Sequence, residues 1–274
     1  MTTVVLYEHP LSPYAQKIRI VLREKNIPFD CRRPARLGAG GDNPALAELN
    51  PRLEVPALLH DGHTIFDSTI ILEYLEESFP HPAMMPASPA ARARLRTIEE
   101  VCDTHWEAIN WGLGEIRFFG RGGQSLGPRL KQAAVEQLGD MYAWLESVLG
   151  GSPWLSGDDF GWGDLAALPF ATMSSMFGVD PPRDSAIAGW LHRGRARPSV
   201  SATVAEALAT LPGMDSVAKS IANRTFRRQF RDHRLEWMIR SGGAQVVLDG
   251  LANGDIRFTD TAQFVGRPRA ARGG

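Results

Sequence analysis

The sequence predicts a mixed α/β sheet domain, then an all-α domain, then a long helical C-terminal extension. Three observations predict this. Short β-branched and apolar runs alternate with helical patterns over residues 1–80, in the order β-α-β-α-β-β-α. The last two of those runs flank Asp61-Gly62, a two-residue turn signal, so they form a hairpin and the sheet is mixed rather than purely parallel. After a proline-rich break at residues 81–89, helical periodicity takes over.

The elements follow in order. Residues 3–7 (TVVLY) read as a buried strand, broken by His9-Pro10-Leu11-Ser12-Pro13. Residues 14–25 read as a helix, with Ile18, Val21 and Leu22 on one face and Lys17, Arg19, Arg23 and Glu24 mostly away from it. Ser12 suits the N-cap and Pro13 the first helical position. Residues 29–32 form a second strand. Residues 36–43 form a Gly-rich surface loop without the Lys-Ser/Thr of a phosphate-binding loop, and residues 44–49 a short helix. Strands at 57–59 and 64–66 make the hairpin. A helix follows, with Ile70, Ile71, Tyr74, Leu75 and Phe79 on one face and Asp67 or Ser68 as its cap.

The helical domain spans residues 90–213. A helix at 90–119 places Leu95, Ile98, Cys102, His105, Trp106 and Ile109 near one face, with Gly112 and Gly114 weakening its C-terminal part. Residues 120–127 read as a loop and 130–149 as a helix closed by Gly150-Gly151. Residues 163–176 read as a central buried helix, and 187–193 and 199–211 complete the bundle. The extension, residues 214–274, carries an arginine-rich helix at 217–239 and a tail at 266–274 that reads as disordered.

A content of 43% hydrophobic and 22% charged residues is that of an ordinary globular protein. A net charge of −1 points to neither nucleic acid nor a membrane surface, and the acidic residues among the extension's arginines favour a solvated face. Cys31 and Cys102 are isolated, giving no metal spacing and no disulfide framework, which fits a reducing cytoplasm. No apolar run approaches a membrane span, and the N-terminus lacks the pattern of a signal peptide.

The stretch Asn50 to Phe79, NPRLEVPALLHDGHTIFDSTIILEYLEESF, ends in a capped helix whose N-terminus suits a carboxylate; read alone, Ser68 there could be a cap and nothing more. Its NP-x-x-x-VP-x-L, followed by Asp67-Ser68 and I-x-x-YL, resembles the thioredoxin-like domain of glutathione S-transferases, and residues 90 to about 211 resemble their all-helical domain. The resemblance implies glutathione as co-substrate, with Pro56 cis and Val55 offering its backbone to the cysteinyl part. Asp67 and Ser68 would hold the γ-glutamyl end. Ser12, in S-P-Y, would stabilise the thiolate with help from the helix N-terminus. Tyr14 is the rival hydroxyl, turned towards the second-substrate pocket. That pocket would be lined by Trp111 and Phe118, with Phe119, Met173 and Phe177 as further candidates, although each could equally be core. His105 reads as structural, and Asp103 as a residue that could reach a partner's glutathione.

Leu53 and Glu54 depart from the family's usual loop, and Gly161 is a weak cap before Asp164. The implied activity is attack of the thiolate on a hydrophobic, aromatic electrophile. Ring-ether-cleaving members, which also carry long extensions, offer β-aryl ether cleavage as a specific form. The alternative is a non-catalytic ligand carrier or partner-binding regulator. A homodimer is implied in either case.

Overall fold

The computed structural model describes residues 3–34, 37, 44–223, 225, 228–229 and 232–257. Most of the Gly-rich loop at 36–43, Arg224, Arg227 and Arg231 of the basic segment, and the tail at 266–274 lie outside these residues.

The first domain is a four-stranded sheet in the order β2-β1-β3-β4: β1 (Val4–Tyr7), β2 (Phe29–Arg32), β3 (Ala57–His60) and β4 (His63–Phe66). β1 runs parallel to β2 and antiparallel to β3, and β3 pairs antiparallel with β4 in the register Ala57↔Phe66 to His60↔His63. The hairpin turn forms where the sequence predicts it. Asp61 and Gly62 both have positive φ, 50° and 80°, which matches the twist of the flanking strands. The helices of this domain are α1 (Pro13–Glu24), α2 (Pro44–Leu49) and α3 (Ser68–Ser78).

Two faces differ from those the periodicity predicts. Lys17 and Arg19 are buried, at 0% and 5% exposure, although helical spacing turns them away from the apolar stripe. The reason is that α1 is covered on more than one side: α3 packs beside it, and α7 (Trp162–Met176) and α9 (Pro198–Leu208) pack on it from the helical domain. Buried charge must be paired, and it is. Arg19 meets Glu8 at 2.7 Å and Glu206, Arg23 bonds to Glu206 at 2.6 Å, and Arg197 grips Glu24 at 2.7 and 3.0 Å. On α3 the buried apolar residues are Ile71, Leu72 and Leu75, with Ile70 exposed. Glu76, expected on the polar side, is buried instead. It accepts the Met84 and Met85 N–H groups at 2.9 Å and pairs with Lys25 at 2.8 Å. Lys25 also donates to the Phe79 and Pro82 carbonyls at 2.7 Å, so the proline-rich break is pinned to the first domain.

The predicted helix at 90–119 is one rod in three parts: α4 (Pro89–Val101), a π-helical turn (Cys102–Trp106) and α5 (Glu107–Phe119). The extra residue of the π turn changes which side chains face inward. Trp106 and Cys102 are fully buried, while His105 points out and bonds its neighbour Thr104 at 2.9 Å. α6 (Gly123–Leu149) begins seven residues earlier than the predicted 130, taking in Pro128 near its start, so the predicted loop is shorter. α8 (Ala186–Ala196) and α9 close the bundle. Asp164, at 0% exposure, is the folding residue its position suggests. It accepts N–H groups from Leu155 (2.8 Å), Ser156 (3.2 Å) and Gly161 (3.1 Å), and the Trp190 indole at 2.8 Å.

The extension does not form the single basic helix that the sequence predicts. It folds as α10 (Met214–Ala222), α11 (Asp232–Arg240) and α12 (Ala244–Asn253), with a short parallel pair of β5 (Arg228–Gln229) and β6 (Ile256–Arg257). Arg240 does make the expected solvent-side i,i+4 pair, with Glu236 at 3.0 Å. Arg234, by contrast, turns inward onto α5 and pairs with Glu107, which is only 4% exposed.

Replacing Asp164 with Ala leaves three buried N–H donors and an indole without their acceptor. We expect a loss of about 3 kcal/mol of stability. Urea unfolding measures it, and an unchanged midpoint refutes the role.

Candidate active site

Two hollows meet where the first strand hands over to α1. One is polar, about 310 Å³, walled by Asn50, Arg52, Pro56, Asp67, Ser68 and Thr69 from the first domain and by Glu100, Asp103 and Thr104 from the helical rod. The other, about 330 Å³, is mostly apolar, and Ser12 stands in its wall. Tyr14, Glu54 and Val55 belong to both.

The polar hollow is built by local chain geometry. The Val55–Pro56 peptide is cis, as the resemblance implies. The loop before it is tied by Asn50, whose side-chain amide donates to the Glu54 carbonyl at 2.9 Å and whose Oδ1 accepts from the Arg52 N–H at 2.9 Å. Leu53, where the resemblance leads one to expect a glycine, has φ of 56°. An L side chain adopts that left-handed conformation at a cost of about 1–2 kcal/mol. Arg52 lies 3.0 Å from Glu54 and 3.7 Å from Asp67.

Asp67, not Ser68, caps α3. It has φ of 76°, and its Oδ1 accepts the Thr69 N–H at 3.0 Å. Ser68 is the first helical residue, 4% exposed, with its side chain in the wall of the hollow. A helix N-terminus beside a carboxylate and a hydroxyl offers donors for an anion and an acceptor for an ammonium group, the two charges of an α-amino acid.

Ser12 caps α1: its Oγ accepts the Ala15 N–H at 3.4 Å. A hydroxyl has one proton and two lone pairs, so acting as a cap leaves the O–H available to donate. The Ser12 N–H is itself bonded to the His9 carbonyl at 2.8 Å, fixing the turn. Tyr14 differs from the expectation. Its ring lines the junction, but its hydroxyl donates across the domain boundary to the Asp103 carbonyl at 2.6 Å and is only partly available to a second-substrate pocket.

Asp103 lines this chain's own polar hollow. Its two carboxylate oxygens hold the Lys17 ammonium at 2.7 and 2.9 Å. Burial is the main force pushing the Asp103 carboxyl up, to about 7; the Glu99 carboxylate adds to it and Lys17 opposes it.

The apolar hollow brings together every residue that the sequence nominates for it: Trp111, Phe118, Phe119, Met173 and Phe177, alongside Tyr14. Phe118 meets Phe177 edge-on at 6.0 Å. Sequence reasoning missed His9, Asn110, Glu107 and Leu53, and the extension's Met214, Val217 and Arg234. His9 and Leu53 flank recognised motifs and could have been included. The other residues carry no local signal, because tertiary packing alone brings them to the cleft.

Comparison with known proteins agrees with this geometry. Residues 6–83 match the glutathione S-transferase N-terminal domain and residues 89–193 the glutathione S-transferase C-terminal domain. The chain belongs to the glutathione S-transferase family, which uses glutathione as its co-substrate. It is 30% identical over 179 residues to a maleylacetoacetate isomerase of Pseudomonas aeruginosa, covering 64% of this chain and 82% of that one. It is 39% identical over 95 residues to a stringent starvation protein A homolog of Coxiella burnetii, covering 35% of this chain and less than half, 44%, of that protein. A solved glutathione S-transferase from Methylobacterium radiotolerans, in complex with glutathione sulfonate, superposes with a TM-score of 0.63 at 27% identity, covering 74% of this chain and 95% of that one.

Because the Tyr14 proton is committed to Asp103, Tyr14→Phe should cost about 1–2 kcal/mol of stability and leave the acidity of bound glutathione unchanged. Urea unfolding and an ultraviolet thiolate titration measure the two effects. A thiol pKa that rises in this variant would transfer the activating role from Ser12 to Tyr14.

Proposed function

We propose that the protein is a glutathione transferase in which the glutathione thiolate attacks an aromatic, hydrophobic electrophile. The observation that carries the reading is the meeting of a polar hollow suited to an amino-acid end with an apolar, aromatic cleft, with Ser12 in the wall near their junction. Asp67 accepts from the γ-glutamyl ammonium and Ser68 donates to its carboxylate, while Val55 pairs its backbone with the cysteinyl unit. The Ser12 O–H donates to the sulfur. Together with the N-terminal dipole of α1 it favours the anion, lowering the thiol from its ordinary range near 8.5 by about 2 units. Sulfur then forms a bond to an electrophilic carbon. The leaving group, a halide or an aryl oxide, departs with the bonding pair, and the thiol proton has already passed to solvent. Cleavage of a β-aryl ether is one reaction of this type. Serine in place of cysteine provides no sulfur for mixed-disulfide exchange at that position.

The same reading takes the protein as a cytoplasmic homodimer acting on small molecules rather than on nucleic acid or membranes. Among the described residues, no helix is long and apolar enough to cross a membrane. One relative is named as a maleylacetoacetate isomerase. Here Arg234, the guanidinium in the cleft wall, is paired with Glu107, and most of the remaining wall is aromatic or aliphatic, which favours an apolar electrophile. A non-catalytic, partner-binding reading draws on the unusual Leu53-Glu54 loop.

Calorimetry with glutathione from pH 6 to 9 separates these readings. Wild type should bind and release a proton at neutral pH. Ser12→Ala should bind within a few-fold but lose the release, and lose turnover of 1-chloro-2,4-dinitrobenzene by about 10²-fold or more. Asp67→Ala should weaken glutathione binding about tenfold or more. Absence of binding at millimolar glutathione leaves the partner-binding reading in its place.

A further inference from the structure

The extension begins after the residues that match the family's C-terminal domain, which end at 193. It is nevertheless built into the apolar cleft. Met214 and Val217 of α10 and Arg234 of α11 line it directly. Both helices pack on α5, which contributes Trp111 and Phe118 to the same cleft.

The seating of α11 is specific. The Trp237 ring lies over Gly112, so closely that a Cβ there would come 2.9 Å from the ring's Cε3. Gly112 is therefore a docking notch on α5, not the weak point in the helix that its sequence suggests. The Trp237 indole donates to Gln137 of α6 at 2.7 Å, and Gln137 in turn donates to Ser241 at 3.1 Å. One turn of helix before Trp237, the Arg234 Nε lies 3.1 and 3.2 Å from the two Glu107 oxygens, and its guanidinium sits 5.2 Å from the Trp111 ring centre. Glu107 is buried and the Arg234 side chain is only 12% exposed, so removing either charge costs the other a close, poorly solvated partner. Such contacts hold α11, and α10 before it, in one place relative to the cleft.

We propose that α10 and α11 form the specificity-determining wall of the electrophile cleft. Met214 and Val217 set its depth, and the Glu107–Arg234 pair and the Trp237–Gly112 seat fix its position. The proposal rests on the transferase reading and deepens it. A cleft of about 330 Å³ lies at the small end of ligand sites, so the walled cleft selects flat electrophiles of one or two rings.

The test uses the full chain. Val217→Trp fills the cleft from a partly exposed position, and should raise KM tenfold or more for 4-nitrobenzyl chloride and for 1-(chloromethyl)naphthalene, with the glutathione Kd within twofold of wild type. Met214→Ala/Val217→Ala should lower the ratio of naphthyl to benzyl KM at least threefold. Arg234→Gln should speed amide hydrogen exchange in α11 and raise electrophile KM with little change in glutathione Kd, and the pair Glu107→Gln/Arg234→Gln should recover part of both. If Arg234→Gln does not fold, the α10 variants carry the test alone. Binding of the fluorescent apolar probe 8-anilinonaphthalene-1-sulfonate provides a readout that needs no turnover: Val217→Trp should weaken it tenfold. A folded Val217→Trp with wild-type electrophile KM and probe affinity overturns the proposal. Failure of wild type to bind glutathione, with the probe still sensitive to Val217→Trp, removes the transferase reading and leaves the wall standing.

Discussion

One buried ammonium group holds the site together. Lys17, on the first helix of the sheet domain, is fully inaccessible, and it points into the helical domain, where Glu99 accepts it at 2.7 Å and Asp103 at 2.7 Å. Glu99 has further donors: Thr69 of α3 donates to it at 2.9 Å and the Trp162 indole at 2.6 Å. A charge taken out of water is tolerated only with partners placed well enough to offset its desolvation. The cluster therefore fixes how α1 and α3 sit against the helical rod. Both hollows depend on that placement, because each has walls from both domains.

The π turn of the rod sits at the centre of this arrangement. It lets the rod present Asp103 to Lys17, release the Asp103 carbonyl to the Tyr14 hydroxyl, and still bury Trp106 against Tyr142 and Ser174. A regular α-helix closes each carbonyl onto the N–H four residues on, whereas an irregular turn can spare one for a partner. Beyond it, α5 serves two clients. One face forms the cleft, and at Gly112 it receives the extension.

The polar hollow depends more on backbone than on side chains. The Asn50 amide and the positive φ of Leu53 shape the approach to Val55, and the positive φ of Asp67 swings the chain into α3. With Asp61 of the hairpin turn between them, three non-glycine residues of positive φ within fifteen positions carry a real energetic cost, and conformations of this kind persist where the surrounding structure holds them in place. Leu53 also contributes a side chain to the apolar cleft that glycine could not.

The sequence alone determined the order of elements in the first domain, the hairpin at Asp61-Gly62, the cap at Ser12, the Asp67-or-Ser68 choice for the cap of α3, and the family to which the Val55-Pro56 and Asp67-Ser68 motifs belong. Each of these is a local property: a turn, a cap or a short motif is specified by residues within a few positions of one another. The aromatic residues nominated for the cleft came from the family resemblance, which sets the helix at 90–119 beside the first domain. Only the tertiary structure decided that Lys17, Arg19 and Glu76 are buried, that the Tyr14 hydroxyl is committed to Asp103, that Gly112 receives Trp237, and that Arg234 turns inward. A periodicity reports one apolar face of a helix. It is silent when a second element covers the polar face as well, and the pairing that makes such burial tolerable comes from residues tens to more than a hundred positions away in the chain.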